Sequence, residues 1–208
     1  MTILCIFPVT EEEFRNAVTS SGFPAPRGDQ FEGYKNGLSK GGITSKREAA
    51  MALAQIMHES KGLTKKEEER CAQTKCAGEY TNEGCEVPGQ YYFGRGYIQL
   101  TWCYNYKEAS ADLGHDDLLL NQPDLVASVE QYSWDTTFWF WGKNVHNNPQ
   151  YGQQVQSGQF GYSTRAINGK NECNGGMVEE SKARFRYYQN VYRAFGIGGE
   201  PVESGCYN

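Results

Sequence analysis

Residues 45–62 read SKREAAMALAQIMHESKG, and this stretch predicts a helix from its composition and from both of its ends. Ser45 and Glu48 have the spacing of a capping box, which satisfies backbone N–H groups at the start of a helix. The residues from Ala49 to Met57 are nearly all strong helix formers. Gly62 then offers a stop, because glycine readily adopts the conformation that ends a helix.

One face of this predicted helix is apolar and ends in a carboxylate. Ala52, Ile56 and Glu59 follow the i, i+4, i+7 spacing of a single helix face. A carboxylate at the end of such a stripe is either paired or partly removed from water. Glu59 is therefore the first candidate for chemistry. We interpret the neighbouring His58 as a hydrogen-bonding residue, with a catalytic or metal-binding role as the alternative.

A second candidate, Glu68, follows Glu59 by nine residues. On one unbroken helix this separation would mean a rise of about 13.5 Å and a turn of about 900°, which puts the two side chains on opposite sides. A break at Gly62 lets Glu68 fold back across a cleft. Inverting glycosidases hold two carboxyl groups about 6.5–9.5 Å apart with a water between them. The competing interpretation, which composition alone favours, is a solvated charge run of Glu67, Glu68 and Glu69.

The N-terminal part of the chain predicts one more helix and two irregular segments. Thr10 and Glu13 have capping-box spacing at the start of a short helix. Residues 20–42 are rich in Gly, Ser and Pro and are expected to form a loop. Residues 64–90 are polar, contain three cysteines and are expected to form an irregular lobe.

The remainder predicts helices with very little strand. Alternation with period two around Gln99 and Thr101 predicts a short strand that carries both on one face. The segments Leu125–Trp141 and Glu179–Phe195 read as helices. The second has an apolar face interrupted by Arg184, and a buried guanidinium needs a carboxylate partner.

Composition limits the classes of function. The chain has 208 residues, which suits one domain with two lobes. The net charge of −5 argues against a nucleic-acid partner and fits an uncharged substrate. There is no run of 18 apolar residues, so no membrane span is predicted. No phosphate loop and no metal-ligand spacing is present, so we expect neither a cofactor nor a metal.

Seven cysteines favour a disulfide-bonded extracellular protein over a cytosolic protein with free thiols. An odd number leaves one cysteine over. They stand at Cys5, Cys71, Cys76, Cys85, Cys103, Cys173 and Cys206.

Several motifs occur in order along the chain. They are His58-Glu59-Ser60, Phe93-Gly94-Arg95-Gly96-Tyr97-Ile98-Gln99-Leu100-Thr101, Asn105-Tyr106, Phe138-Trp139-Phe140-Trp141 and Ile167-Asn168-Gly169 with Glu172-Cys173. Together they resemble the glycoside hydrolase family 19 chitinases of plants and bacteria, over roughly residues 8–207. The resemblance implies a mainly helical, bilobal, lysozyme-like fold with a very small β element and a cleft between the lobes.

The resemblance implies endo-acting, inverting hydrolysis of β-1,4-linked N-acetylglucosamine in chitin. Glu59 stands at the position of the proton donor and Glu68 at that of the general base in compact bacterial-type members. Thr101 matches the residue that helps to hold the attacking water. Glu172 and Arg184 match a charged pair that supports the acid, together with His58. The residues at sugar-binding positions are Gln99, Tyr104, Asn105 and Asn168.

The chain departs from the family pattern at several places. Lys61 stands where Gly or Thr is common, and the three consecutive glutamates leave Glu67 and Glu69 as alternatives for the base. Cys103 lies where many relatives have no cysteine. The catalytic region is shortened, which implies fewer sugar subsites, and no separate chitin-binding module precedes it. We expect a secreted monomer with residues 1–208 forming a single catalytic domain.

The resemblance supports the disulfides Cys76–Cys85 and Cys173–Cys206. Cys71–Cys103 is the third expectation, and it leaves Cys5 free. Two other functions compete with a chitinase. One is a peptidoglycan-cleaving lysozyme or endolysin on the same scaffold, and the other is a chitin-binding protein without catalysis. The presence of carboxylates at both catalytic positions argues against the non-catalytic alternative.

Overall fold

The computed structural model describes residues 9–207, and most of this range is helical. The mainly helical fold predicted from the sequence is confirmed. None of these helices combines the length and the apolar character that a bilayer span requires. In chain order they are α1 (Glu11–Ser20), α2 (Gly28–Lys40), α3 (Lys46–Glu59), α4 (Cys71–Thr74), α5 (Cys103–Asp112), α6 (Leu118–Asn121), α7 (Leu125–Ser128), α8 (Glu130–Phe140), a π-helix (Trp141–His146), α9 (Gly152–Gln156), α10 (Phe160–Glu172) and α11 (Val178–Ala194).

The central helix is α3, where every residue from Glu48 to Met57 is buried. Helix α11 packs along it, and α1 packs on α11. Ser45 caps α3 through a bond of 3.1 Å from the backbone N–H of Glu48. The Glu48 side chain does not complete the predicted capping box. It turns inward and accepts from Trp141 Nε1 at 3.0 Å. By contrast, the capping box of α1 at Thr10 is fully formed.

The apolar core is divided between two lobes. The larger cluster is built from α1, α2, α3, α8 and α11. The smaller cluster surrounds the start of α5 and includes Tyr92, Leu100, Tyr106, Leu119 and Trp139. A third, small cluster contains Cys71, Cys76 and Phe93, and Phe140 packs against both of the larger clusters.

The expected loop over residues 20–42 is wrong, because helix α2 occupies much of it. Its glycines serve close packing. A Cβ added at Gly33 would lie 2.1 Å from Cδ1 of Trp134, and one at Gly37 would lie 1.9 Å from Cδ2 of Phe138. Helix α8, which carries both aromatic rings, can therefore approach α2 closely.

Two further segments differ from the sequence-based expectations. The predicted strand around Gln99 and Thr101 is a tight turn, in which Arg95 and Leu100 exchange backbone bonds of 3.1 and 2.8 Å. Gln99 has a φ of 55°, which a strand does not allow. The helix expected over Leu125–Trp141 is broken at Val129, whose backbone is extended, and it continues into the π-helix.

Two of the three expected disulfides, Cys76–Cys85 and Cys71–Cys103, are wrong, because the chain reverses directly after the short helix α4. Lys75 is left-handed with a φ of 56°, and this reversal brings the Cα atoms of Cys71 and Cys76 to 4.8 Å. These two residues therefore pair with each other. Cys85 pairs with Cys103 at the start of α5, with a Cα separation of 5.8 Å.

The third disulfide is Cys173–Cys206, the pair that the family resemblance supported. Its Cα atoms are 4.6 Å apart, and it ties the end of α10 to the C-terminal segment. The expectation for Cys5 lies outside the described residues.

Candidate active site

A cleft of about 820 Å³ brings together most of the candidate residues. Its walls come from the end of α3, the segment 61–69, the turn before α5, the π-helix and α10. Three candidates, His58, Glu172 and Arg184, do not line the cleft. The candidates that line it are Glu59, Glu68, Gln99, Thr101, Tyr104, Asn105 and Asn168.

Glu59 is the last residue of α3. The helix ends there because the buried Ser60 hydroxyl donates to the carbonyl of Ile56 at 2.6 Å and accepts from the N–H of Leu63 at 3.0 Å. Gly62 follows with a φ of 67°. The chain therefore turns away immediately after Glu59 and leaves its carboxyl group, 18% exposed, on the cleft wall.

Arg184 holds Glu59 from the protein side. Its Nη2 atom lies 2.5 Å from Oε1 of Glu59 and 2.7 Å from Oε1 of Glu172. Its Nε atom donates to the other Glu172 oxygen at 2.7 Å, and Nη1 donates to Gln55 Oε1 at 2.9 Å. Glu172 therefore binds the guanidinium through both of its oxygens, and Glu59 shares the Nη2 atom with it.

The charges in this network are stabilised by each other. Burial opposes the charged form of Arg184, but the carboxylates of Glu59 and Glu172 outweigh it and raise the pKa of the guanidinium. Burial likewise opposes ionisation of Glu172, but the bonds from Arg184 and Asn168 outweigh it and lower the pKa of that carboxyl. Arg184 and Glu172 therefore form a permanent ion pair behind Glu59.

His58 lies next to this network and is neutral. Burial is the larger cause and the positive charge of Arg184 the second, and together they lower the pKa of His58 to about 3. Its Nε2 atom is 3.6 Å from a carboxylate oxygen of Glu180. A catalytic proton donor near neutral pH would need a higher pKa than this.

Glu68 lines the same cleft as Glu59 and lies in the segment that follows α3. Its backbone N–H donates to the Gly94 carbonyl at 2.9 Å, and the Gly94 N–H returns a bond of 3.3 Å to Oε2 of Glu68. Tyr80 donates its hydroxyl to the same carboxylate at 3.0 Å, and Nε of Arg70 lies 2.5 Å from Oε1. Four contacts therefore fix Glu68 in one orientation.

The neighbouring glutamates have different surroundings. Glu69 forms ion pairs with Lys61 and, at 3.1 Å, with Lys65, and its side chain is 48% exposed. The bond from Lys61, followed by that from Lys65, lowers the pKa of Glu69. Glu67 forms an isolated backbone bridge with Arg95. Of the three, only Glu68 has its side-chain carboxylate bound by a backbone N–H of the Gly94 turn.

The turn that replaces the predicted strand presents polar groups to the cleft. Gln99 donates from Nε2 to the Gly96 carbonyl at 2.9 Å. The Thr101 hydroxyl donates to the Gln99 carbonyl at 2.8 Å, which leaves its oxygen lone pairs as acceptors. Asn105, in α5, donates to the Thr101 carbonyl at 2.8 Å. Each of these three side chains is therefore fixed by a backbone carbonyl of the turn.

The opposite wall contains Asn168, which interrupts α10 with a φ of −145°. Its Nδ2 donates to Glu172 Oε1 at 2.8 Å, so the cleft wall is joined to the ion pair behind Glu59. Tyr104 stands at the exposed rim, and its ring lies nearly parallel to that of Trp102, with centroids 6.5 Å apart. Such aromatic surfaces suit the apolar faces of sugars.

The sequence interpretation missed Tyr80 and Asn144, which line the cleft, and Arg70, which binds the Tyr80 hydroxyl. Tyr80 and the neighbouring Arg70 lie in the segment that was predicted only as irregular. Asn144 lines the cleft from the π-helix, and its Nδ2 atom is buried without a partner in the described part of the protein. π-Helical turns often occur at functional sites, but no residue pattern in the sequence marks this one.

One cluster of metal-ligand types lies beside the cleft. Within residues 9–207, an oxygen of Glu68 and the sulfur atoms of Cys71 and Cys76 lie within 4.8 Å of one another. The two sulfurs are joined in a disulfide, so they are not the thiolates that bind metal ions.

Comparisons of the sequence point to one family. The family model described as "Chitinase class I", for glycoside hydrolase family 19, matches residues 26–201. The endochitinase At2g43610 of Arabidopsis thaliana is 38% identical over 169 residues, covering 81% of this chain and 53% of the relative. Chitinase 4 of Oryza sativa subsp. japonica is 34% identical over 188 residues, covering 90% and 59%. The chain thus spans little more than half the length of these plant relatives.

Comparisons of the structure agree. Chitinase C from Streptomyces griseus HUT6037 aligns with a TM-score of 0.74 and 28% identity, covering 95% of this chain and 79% of that chain. A bacterial family 19 chitinase aligns with a TM-score of 0.73 and 30% identity, covering 92% and 97%. The lysozyme-like fold implied by the sequence resemblance is confirmed.

Proposed function

Since this chain belongs to glycoside hydrolase family 19, the class I chitinases, we propose that it is an endo-acting chitinase. The substrate is the β-1,4-linked N-acetylglucosamine polymer, and the glycosidic bond is cleaved with inversion. The strongest support is that two carboxylates line one cleft. Glu59 is bound by Arg184, and Glu68 is bound by Tyr80.

Glu59 is the general acid. It protonates the oxygen of the departing sugar, so it must hold a proton when the substrate binds. An unpaired arginine beside it would oppose this by favouring the carboxylate. Glu172 lessens this effect, because it shares the guanidinium charge through both of its oxygens, while Nη2 of Arg184 orients Glu59 at 2.5 Å. His58 supports this arrangement as a neutral neighbour.

Glu68 is the general base. The Gly94 N–H, the Tyr80 hydroxyl and Arg70 hold the carboxylate in one direction, and the remaining lone pairs can accept a proton from water. Thr101 supplies a hydroxyl oxygen that can accept a second hydrogen bond from the same water. Water activated in this way attacks the anomeric carbon on the face opposite to the departing sugar, and the β-linkage gives an α-anomer.

The sugar chain lies along the cleft walls. Asn105, Gln99 and Asn168 offer amide groups to the acetamido and hydroxyl groups of the substrate, and Tyr104 offers an aromatic surface. The reaction needs no cofactor, since the acid, the base and the water complete it. We further propose one catalytic domain in two lobes, acting as a monomer outside the cell, where the three disulfides are stable.

The test compares chitin oligomers with bacterial cell walls as substrates for the purified protein. We expect hydrolysis of chitin oligomers, with cleavage at internal bonds visible in the distribution of product lengths. Hydrolysis of cell walls alone would replace the proposal with a peptidoglycan-cleaving enzyme. Binding to chitin without any hydrolysis would replace it with a carbohydrate-binding protein.

A further inference from the structure

The segment that follows Glu68 loops out and returns to the same carboxylate. After Arg70 the chain makes the short helix α4, reverses at Lys75 and comes back to Tyr80. The Cys71–Cys76 disulfide closes the reversal, and both cysteines are buried against Phe93. Tyr80, which follows Glu68 by twelve positions, thereby reaches the Glu68 carboxylate.

Both oxygens of Glu68 are bound from this loop. The Tyr80 hydroxyl lies 3.1 Å from Oε1 and 3.0 Å from Oε2. Arg70 adds a contact of 2.5 Å from Nε to Oε1 and donates from Nη2 to the Tyr80 oxygen at 2.7 Å. The Tyr80 and Arg70 side chains therefore brace each other as well as the carboxylate.

Tyr80 is suited to act as a permanent donor. Burial is the first cause and the bond to Glu68 the second, and together they raise the pKa of its hydroxyl. Its ring packs edge-on against Trp102, with centroids 5.2 Å apart, and lies under the guanidinium of Arg70 at 5.7 Å. The hydroxyl is therefore held in place by packing on two sides.

The charge of Arg70 is balanced by a second carboxylate. Its Nη1 atom donates to both oxygens of Glu79, at 2.9 and 2.7 Å. The bonds to Glu79 and Tyr80 raise the pKa of Arg70, so it stays charged. The same design serves Glu59, where Arg184 is balanced by Glu172. Each candidate catalytic carboxylate is thus oriented by an arginine that another glutamate neutralises.

We propose that Tyr80 and Arg70 are positioning residues that aim the Glu68 carboxylate at the attacking water. This inference rests on the proposed function, because it assigns a role to residues that act through the general base. Neither residue needs to contact the reacting atoms. Their contribution is to prevent rotation of the carboxylate during proton transfer, which mainly affects the chemical step.

Tyr80→Phe tests this directly, because it removes the hydroxyl and keeps the ring that packs on Trp102. With chitin oligomers we expect kcat to fall about tenfold, the effect of one hydrogen bond to a charged group. KM should stay within about twofold, because uniform substrate binding is retained. Tyr132→Phe is the matched control, since Tyr132 is partly buried and lies outside the cleft. A wild-type kcat in Tyr80→Phe would overturn the proposal.

Arg70 provides a second test in which a structural role and a positioning role give different results. Arg70→Met keeps an apolar stem and should lower kcat, whereas Arg70→Lys should restore part of it through the charge. The melting temperature should change little in either variant, because the Arg70 side chain is 54% exposed. Equal kcat values for wild type, Met and Lys variants would overturn the proposal.

Glu68→Gln separates failure of this inference from failure of the proposed function. An inactive Glu68→Gln beside a fully active Tyr80→Phe would refute the positioning role alone. Full activity in Glu68→Gln would refute the assignment of the base, and the positioning role would fall with it. An inactive Glu68→Gln, together with a lowered kcat and unchanged KM in Tyr80→Phe, supports both.

Discussion

The Nη2 atom of Arg184 lies 2.5 Å from Oε1 of Glu59 and is shared with the buried carboxylate of Glu172. Glu59 is therefore oriented by a guanidinium whose charge it shares with Glu172. When the Glu59 charge is removed, Arg184 still has Glu172 as a bidentate partner. The fold therefore does not depend on the Glu59 carboxylate.

The first prediction follows from this arrangement. We expect Glu59→Gln to fold normally and to lose a factor of about 10²–10⁴ in turnover of chitin oligomers, the contribution typical of a positioned general acid. Circular dichroism and thermal melting check the fold. Glu108→Gln, which alters an exposed ion pair with Lys143, is the control. Retention of more than about a tenth of wild-type turnover would remove Glu59 from the mechanism.

The second prediction concerns the stereochemistry of the product. If Glu68 activates water, the first product formed from a β-linked oligomer is the α-anomer. Proton NMR during the first minutes of digestion distinguishes the two anomers before mutarotation mixes them. An initial β-anomer would exclude Glu68 as the base that activates water. It would then be better placed as a stabiliser of positive charge.

The third prediction concerns the pH dependence of stability through His58. The folded pKa is about 3, while an unfolded histidine has a pKa of about 6.5. The unfolded chain therefore gains a proton between these values that the folded protein does not, so stability falls as the pH falls through this range. The contribution of His58 changes the free energy of unfolding by at most about 1.4 kcal/mol per pH unit.

Urea unfolding at several pH values measures this effect. We expect the free energy of unfolding of His58→Gln to fall less steeply than that of wild type as the pH is lowered from about 6.5. His115→Gln, at a residue outside the cleft, serves as the comparison. Parallel pH profiles for wild type and His58→Gln would show that the folded protein does not suppress protonation of His58.

The fourth prediction reverses the usual effect of a helix glycine. Gly→Ala within a helix normally stabilises a protein by up to about 1 kcal/mol. In Gly37→Ala the new Cβ would meet Cδ2 of Phe138 at 1.9 Å, so we expect destabilisation of about 1–3 kcal/mol. Gly28→Ala, at the first residue of the same helix, is the control, because its added Cβ would meet only Oε1 of Glu11, at 3.9 Å. An increase in unfolding free energy for Gly37→Ala would contradict the close packing of α2 on α8.

The parts of the fold that could be predicted depend on local patterns. Helix α3 was identifiable because its cap, its apolar face and its glycine stop lie within 18 residues. Its position explains why Glu59 was recognisable as a candidate. The need of Arg184 for a carboxylate could also be foreseen, because its helix face is otherwise apolar. The structure places Glu172 and Glu59 there.

The parts that could not be predicted depend on contacts between distant residues. The glycine content of residues 20–42 suggested a loop. The rings of Trp134 and Phe138, which pack against Gly33 and Gly37, lie about a hundred positions away in the sequence, so this packing could not be foreseen. The disulfide pairing was missed because the left-handed conformation of Lys75 has no sequence signal of its own. Tyr80 was missed for the same reason, since its bond to Glu68 depends on that reversal.

The observed disulfide pairing has a consequence for proteolysis. Cys71–Cys76 and Cys85–Cys103 follow one another along the chain, and Cys173–Cys206 lies further on. None of these three bonds spans residues 77–84. A single protease cut there would divide the described chain into one fragment that contains Glu59 and another that contains Gln99. Only non-covalent packing would hold the two fragments together, because no disulfide of the described chain connects them.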